Sequence, residues 1–256
     1  MIEACMSDAP LLSVEALTKR FGGLLAVADA SLSIGEGEIV ALIGPNGAGK
    51  TTLFAMISGF VMPDAGAVFF AGRDITGQPP HSICRLGLAR TFQITQPFGG
   101  LSVRENIAIG AHLRIADRGE ALARAAKIGA QLGLGRLLDG PAAALTVAGR
   151  KRLEIARALA TGPKLLLLDE VMAGLNPSEL AEIVTVLREI RASGVTILLI
   201  EHVMQAVVRL AERVCVLNQG RMIAEGSLAD VTALPAVIEA YLGQGAAGRL
   251  AAGAMA

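Results

Sequence analysis

The stretch GPNGAGKTT at residues 44–52 limits what this chain can become more than any other part of it. Gly44, Gly49, Lys50 and Thr51 match the phosphate-loop spacing, and Asn46, Gly47, Ala48 and Thr52 fill out the turn and the helix start. The run before it, EIVALI at 38–43, is short, apolar and preceded by Gly35 and Gly37, so it reads as a buried strand. The segment after it, TTLFAMISGF at 51–60, has helical spacing with Gly59 near its end. A strand, a tight glycine turn and a helix start aim a row of backbone N–H groups and the positive end of a helix dipole at one point. An anion suits that point. Lys50 adds a point charge for the β- and γ-phosphates, and the Thr51 hydroxyl is placed to ligate Mg²⁺. These parts together predict nucleoside triphosphate binding.

At 256 residues the chain suits one large domain, or a core with a subdomain. Its 23 basic and 23 acidic residues cancel, and aromatics are only 3%, which argues against nucleic acid as a partner. Hydrophobic content is 53%, yet no stretch has the roughly 18 uncharged apolar residues that cross a bilayer. The N-terminus, MIEACMSDAP, has acids where a signal peptide carries basic residues. Cys5, Cys84 and Cys215 are odd in number and far apart, so neither a disulfide framework nor a metal cluster is indicated.

Residues 11–40 alternate short apolar and polar segments broken by glycines, which suggests antiparallel strands, and 66–75 continue that pattern. A short helix and a strand at LARTFQ (88–93) follow. Residues 102–116 and 119–133 are alanine-rich and helix-like, each with a capping candidate, and suggest a helical insertion. Residues 139–149 read as a loop, 150–160 as a helix ended by Gly162 and Pro163. Strands at 164–170 and 195–202 alternate with helices at 176–194 and 203–213, the signature of a parallel α/β core. A hairpin at 214–226, a helical pair at 227–242 and a loose Gly/Ala-rich tail at 243–256 complete the expectation.

In an open parallel sheet, ligands sit beyond the carboxyl ends of the strands. LLLLDE ends there in Asp169 and Glu170, and two buried unpaired carboxylates are costly. Mg²⁺ and a phosphate-bound water resolve that cost, with Asp169 serving the metal and Glu170 accepting a proton from the attacking water. The other reading is a surface turn with two solvated acids. His202 ends the second buried strand on the γ-phosphate side of the crevice, whereas His81 and His112 take ordinary structural readings. Gln93, after LARTF, is a neutral side chain able to ligate Mg²⁺ or hold a water.

These parts, in this order and over residues 11–242, resemble the ATP-binding subunit of an ABC transporter. GPNGAGKTT is similar to its Walker A motif, LLLLDE to Walker B with a catalytic Glu170, Gln93 to the Q-loop and His202 to the H-loop. Phe21 falls where that family stacks an aromatic on adenine, although a core position in the strand layer is its other reading. LARTFQ, PFGGLSVRENIAIGAH, RLEIARALA and AGLNPSE look like the branched-chain amino-acid importer branch. The resemblance implies an α/β P-loop core with an N-terminal antiparallel β subdomain and a helical subdomain at about 95–160. It also implies ATP and Mg²⁺, membrane permease subunits, a second ATPase subunit, indirectly a solute-binding protein, and a peripheral place on the cytoplasmic face of the inner membrane.

In the family, each ATP is also held by the partner's LSGGQ signature. Here that stretch is Leu145, Thr146, Val147, Ala148 and Gly149, so both glycines are replaced and glycine stands where Gln is usual. Val171 and Asn176 depart where Pro and Asp are common. Glycine lets a backbone approach phosphate closely. A complete hydrolytic set beside an altered signature suggests a heterodimer, with a homodimer as the alternative. Against this importer reading stand a soluble ABC ATPase free of any transporter and a non-hydrolysing regulatory cassette.

Overall fold

The structure, a computed structural model, describes residues 9–92 and 96–242. In chain order the elements are β1 (Leu12–Phe21), β2 (Leu24–Ile34), β3 (Ile39–Ile43), α1 (Lys50–Ile57), β4 (Ala65–Phe70), β5 (Arg73–Asp74), α2 (Pro80–Leu86) and β6 (Leu88–Arg90). Then follow α3 (Val103–Ala111), α4 (Arg118–Gln131), α5 (Val147–Ala160), β7 (Leu165–Asp169), α6 (Pro177–Ala192), β8 (Thr196–Ile200), α7 (Met204–Leu210), β9 (Arg213–Asn218), β10 (Arg221–Gly226), α8 (Leu228–Ala233) and α9 (Pro235–Leu242). Gln93 and the tail at 243–256 lie outside the described residues, as does most of the N-terminal segment compared with a signal peptide.

Six strands form one sheet in the order β10-β9-β3-β8-β7-β6, parallel throughout except for the β9–β10 hairpin at one edge. Four others form an antiparallel sheet in the order β2-β1-β4-β5. The unbroken apolar runs of the central strands have a simple cause. Side chains alternate between two faces, and both faces are covered. Ile39, Ala41 and Ile43 join one core with α3 to α6, while Val40 and Leu42 join a second core with α1 and the antiparallel sheet. The same period of two divides Leu166 and Leu168 from Leu165 and Leu167, and Ile197 and Leu199 from Leu198 and Ile200. One such leucine, fully buried, contributes on the order of 2 kcal/mol. The arrangement matches the α/β class expected, with its antiparallel sheet and its helices.

Several boundaries differ from expectation; helix α3, for example, ends at Ala111 rather than at residue 116, and two others trace to single hydrogen bonds. Helix α5 starts at Val147 rather than at residue 150, because the Thr146 hydroxyl accepts the Gly149 N–H and caps it. Helix α7 ends at Leu210 instead of running to 213. The Glu212 N–H donates to the Ile39 carbonyl, which draws the chain into the sheet beside β3. Both follow from a hydrogen bond that hydrophobic periodicity does not carry.

Candidate functional site

The loop between β3 and α1 is shaped by two glycines that no other residue could replace without strain. Gly44 has φ +150°, and a Cβ there would stand 2.0 Å from the Leu217 carbonyl oxygen. Gly49 caps α1 at φ +103°, and its Cβ would stand 2.3 Å from the Ala26 carbonyl oxygen. The loop is tied down from behind: the Gly220 N–H donates to Ala48 and the Ala28 N–H to Gly220, both at 2.8 Å. No side chain caps α1 and its first turn carries no acid, so its leading N–H groups and positive dipole end lack an anionic partner there. Lys50 folds back, its Nζ donating to the Gly44 and Pro45 carbonyls at 2.8 and 3.0 Å. Burial pushes its pKa down, and the charges of Glu170 and Asp169 partly oppose that.

This loop borders a cleft of about 900 Å³, lined by residues 46–52, by Phe21 and residues 24–26, and by Glu170, His202 and Gln219. Phe21 stands at the end of β1, half exposed, with the Lys19 ammonium 5.6 Å from its ring centre. Its core reading is therefore wrong for this chain. A flat aromatic face at a cleft mouth suits a purine ring. Thr51 is exposed to the cleft.

Asp169 ends β7 and Glu170 follows it directly. Asp169 is buried. Its Oδ2 accepts from Arg90 Nη2 at 2.9 Å, while Oδ1 has no hydrogen-bond partner among the described residues. A buried carboxylate oxygen left over in this way is suited to a cation. Among the described residues no cluster of three or more His, Cys, Asp or Glu could hold a metal by itself. Mg²⁺ takes one or two protein ligands and completes its shell with phosphate and water.

Glu170 has φ +51°, a left-handed conformation that costs a non-glycine residue about 1–3 kcal/mol. Its N–H donates to the Ile200 carbonyl at 3.0 Å, and its own carbonyl accepts from Lys151 Nζ at 2.7 Å. Its Oε1 lies 2.8 Å from His202 Nε2. An ionised carboxylate can only accept, so Glu170 in its ionised form pairs with a ring nitrogen that carries the proton. A carboxylate held this way at the cleft wall can take a proton from a water, and the histidine can steady the charge.

Three residues escaped the sequence reading. Arg90 on β6 holds Asp169, and its guanidinium carbon sits 5.8–5.9 Å from the ring centres of Phe54, Phe60 and Phe92. An arginine in an otherwise apolar strand was the available signal. Glu201, buried before His202, accepts the Met172 N–H at 2.9 Å; burial pushes its pKa up to about 7. It was visible as a third acid at a strand end. Lys151 gave no signal in sequence.

The signature stretch lies apart from this chain's own cleft, since none of residues 146–149 lines it. Thr146 caps α5, Ala148 and Gly149 are buried, and Val147 projects into solvent with 63% of its surface exposed. Asn176 caps α6 through the Ser178 and Glu179 N–H groups, and Glu179 returns a bond to the Asn176 N–H. Asn caps as well as Asp does. His112 ends α3 with Nδ1 3.0 Å from the Ile115 carbonyl, in keeping with a structural reading.

An α/β core whose parallel sheet is covered on both faces, with a glycine-built anion cradle and a phosphate-loop lysine, defines a P-loop nucleotide-binding cassette. Residues 27–173 match the ABC transporter family, and residues 221–247 match the family described as branched-chain amino acid ATP-binding cassette transporter. The chain is 41% identical to the high-affinity branched-chain amino acid transport ATP-binding protein LivG of Salmonella typhimurium, over 92% of this chain and 98% of the relative. It is 36% identical to the lipopolysaccharide export system ATP-binding protein LptB of Acidithiobacillus ferridurans, over 91% of this chain and 97% of the relative. A crystal structure of an ABC transporter cassette in its ADP conformation superposes with a TM-score of 0.83 at 34% identity, covering 92% of this chain and all of that one.

The chain belongs to the ABC transporter ATP-binding family. It is an ATP-binding ATPase subunit, and membership implies a dimer and membrane permease partners. Among its described residues no helix is long and apolar enough to cross a membrane.

Proposed function

We propose that this subunit hydrolyses ATP to power import of a small polar solute through separate membrane subunits, with branched-chain amino acids or related amides and acids as the solute class. The observation that carries the hydrolytic part is the Glu170–His202 pair, 2.8 Å apart, on the wall of the cleft that holds Lys50 and Thr51. The solute class rests on the near full-length identity to LivG and on the match at residues 221–247.

In this reading the N–H groups of Gly44, Asn46, Gly47, Ala48, Gly49 and Thr52 cradle the phosphates, and Phe21 faces adenine. Lys50 leaves its two carbonyls to meet the β- and γ-phosphates. Mg²⁺, when bound to Thr51, Asp169 and Gln93, supplies neutralisation of the phosphate oxygens. Water attacks the γ-phosphorus, the bond to the β–γ bridging oxygen breaks, and ADP leaves with that oxygen. Glu170 takes the proton from the water, and His202 orients Glu170 and steadies the γ-phosphate side. The protein's work is positioning and charge stabilisation.

Residues 11–242 act as one ATPase domain, with a helical arm at about 95–160 whose helices α3 to α5 share an apolar core with β3, β7 and β8. The stretch Thr146, Val147, Ala148 and Gly149 faces the nucleotide of a neighbouring subunit. An exposed valine where the family has glycine favours a related ATPase as that neighbour, whose fuller signature completes the site built here. The chain is peripheral on the cytoplasmic face of the inner membrane, and a solute-binding protein feeds the permease.

Copurification with the permease, followed by ATP turnover of the reconstituted complex with binding protein, tests this. Stimulation by leucine, isoleucine or valine is expected. Stimulation only by urea, amides or aromatic acids would move the solute class, and outward transport of a lipid, as LptB's name describes for that relative, would overturn the importer reading. An ATP-dependent homodimer with full cooperative turnover would overturn the heterodimer.

A further inference from the structure

We propose that Lys151 is a positioning residue for Glu170, so that turnover depends on where helix α5 sits. The inference rests on the reading of Glu170 as the group that takes the proton from water.

Glu170 is held at three points, two of them at the end of β8 and the third on helix α5. Its N–H is fixed by the end of β8, its carboxylate lies against His202, and its carbonyl accepts from Lys151 Nζ at 2.7 Å. Only the last of these comes from outside the sheet and its strand ends. A left-handed conformation at a non-glycine residue persists only where its surroundings hold it. The peptide carbonyl of Glu170 sets the plane from which the chain turns into Val171, so a cation on that oxygen holds the turn itself. Turning this peptide would swing the carboxylate away from His202.

Lys151 is well prepared for that task. Its ammonium is half-buried, burial pushing its pKa down and the charges of Glu201 and Glu170 partly opposing that, and it donates to a neutral carbonyl. Glu201 in turn fastens the Met172 N–H, so the residues around Glu170 are gripped on both sides. Lys151 stands two residues after Gly149, on the helix that Thr146 caps. Any shift of α5, whose N-terminus carries the stretch facing a neighbouring subunit, is transmitted by one side chain to the backbone of Glu170. A helix moving by a fraction of an ångström changes a 2.7 Å bond, and misplacement by about 1 Å can cost a hundredfold in rate.

The test uses the full chain assembled with its membrane subunits, and compares Lys151→Met, Lys151→Arg, Glu170→Gln and the Lys151→Met/Glu170→Gln double variant. Lys151→Met should lower kcat between about tenfold and a hundredfold with KM and the affinity for a fluorescent ATP analogue unchanged. Lys151→Arg, which keeps a charged donor, should recover at least half of the parent rate. In the Glu170→Gln background the methionine should change the residual rate less than about twofold, because the residue acts only through Glu170. Parent-like turnover in Lys151→Met, an equal loss in both backgrounds, or a loss confined to KM or to melting temperature would overturn the proposal. If Lys151→Met does not fold, Lys151→Leu, which also lacks a donor, takes its place with the same expectations. Should Glu170→Gln itself turn over normally, the reading of Glu170 fails. An inactive Glu170→Gln beside a normal Lys151→Met sinks the Lys151 proposal alone.

Discussion

Replacing Arg90 by methionine should destabilise the whole sheet, and the cost can be worked from its surroundings. Asp169 is 1% exposed and Arg90 Nη2 is the one donor to its Oδ2 among the described residues, while Oδ1 has none. Removing one partner of such a buried pair leaves a charge without compensation, at about 3–5 kcal/mol. Methionine keeps part of the packing against Phe54, Phe60 and Phe92, so the loss is electrostatic in the main. For a chain of this size the melting temperature should fall by roughly 10 °C. Asp169→Asn should also destabilise, because it removes the negative charge opposite a buried guanidinium, and the double variant should lose at least about 2 kcal/mol less than the two single losses summed. The assay is urea unfolding of all four proteins. A loss under about 1 kcal/mol for Arg90→Met would match an exposed pair, and either that or additivity within about 0.5 kcal/mol would refute the coupling.

Glu201 gives a pH prediction. Its folded pKa is raised to about 7 by burial, above an unfolded value near 4.5, so the folded state holds the extra proton and stability falls as pH rises from about 4.5 to 7. Glu201→Gln keeps an acceptor for the Met172 N–H and should flatten that slope, with a gain on the order of 3 kcal/mol above pH 7; an unchanged slope would contradict it. Lys50→Ala should weaken ATP binding by roughly ten- to a hundredfold, measured by titration with a fluorescent analogue, since it removes a charged donor to phosphate. Asn176→Asp should leave thermal stability within about 0.5 kcal/mol, whereas Asn176→Ala should cost about 1 kcal/mol through the lost cap.

The order of elements and the cleft were legible because each central strand is covered on both faces, which writes a continuous apolar run, and because a phosphate cradle demands glycine where φ is positive. The strand-end acids were legible as a cost that needs a partner. What escaped was long-range pairing of single polar groups. Arg90 and Asp169 are 79 residues apart, and Lys151 and Glu170 are 19 apart on elements whose meeting no periodicity encodes. The start of α5 was misread for a related reason. A threonine cap is a local hydrogen bond that leaves the hydrophobic pattern unchanged.

The central claim is that a triphosphate lies on the cradle before Lys50 with Glu170 turned to its terminal phosphorus. A crystal structure of Glu170→Gln with ATP and Mg²⁺ tests it most directly. The account predicts phosphates on residues 44–52, Lys50 Nζ moved from the Gly44 and Pro45 carbonyls to the β- and γ-oxygens, and the residue-170 side chain about 3 Å from the water in line with the γ-phosphorus. An empty cradle, or that side chain turned away from the γ-phosphate, would contradict it.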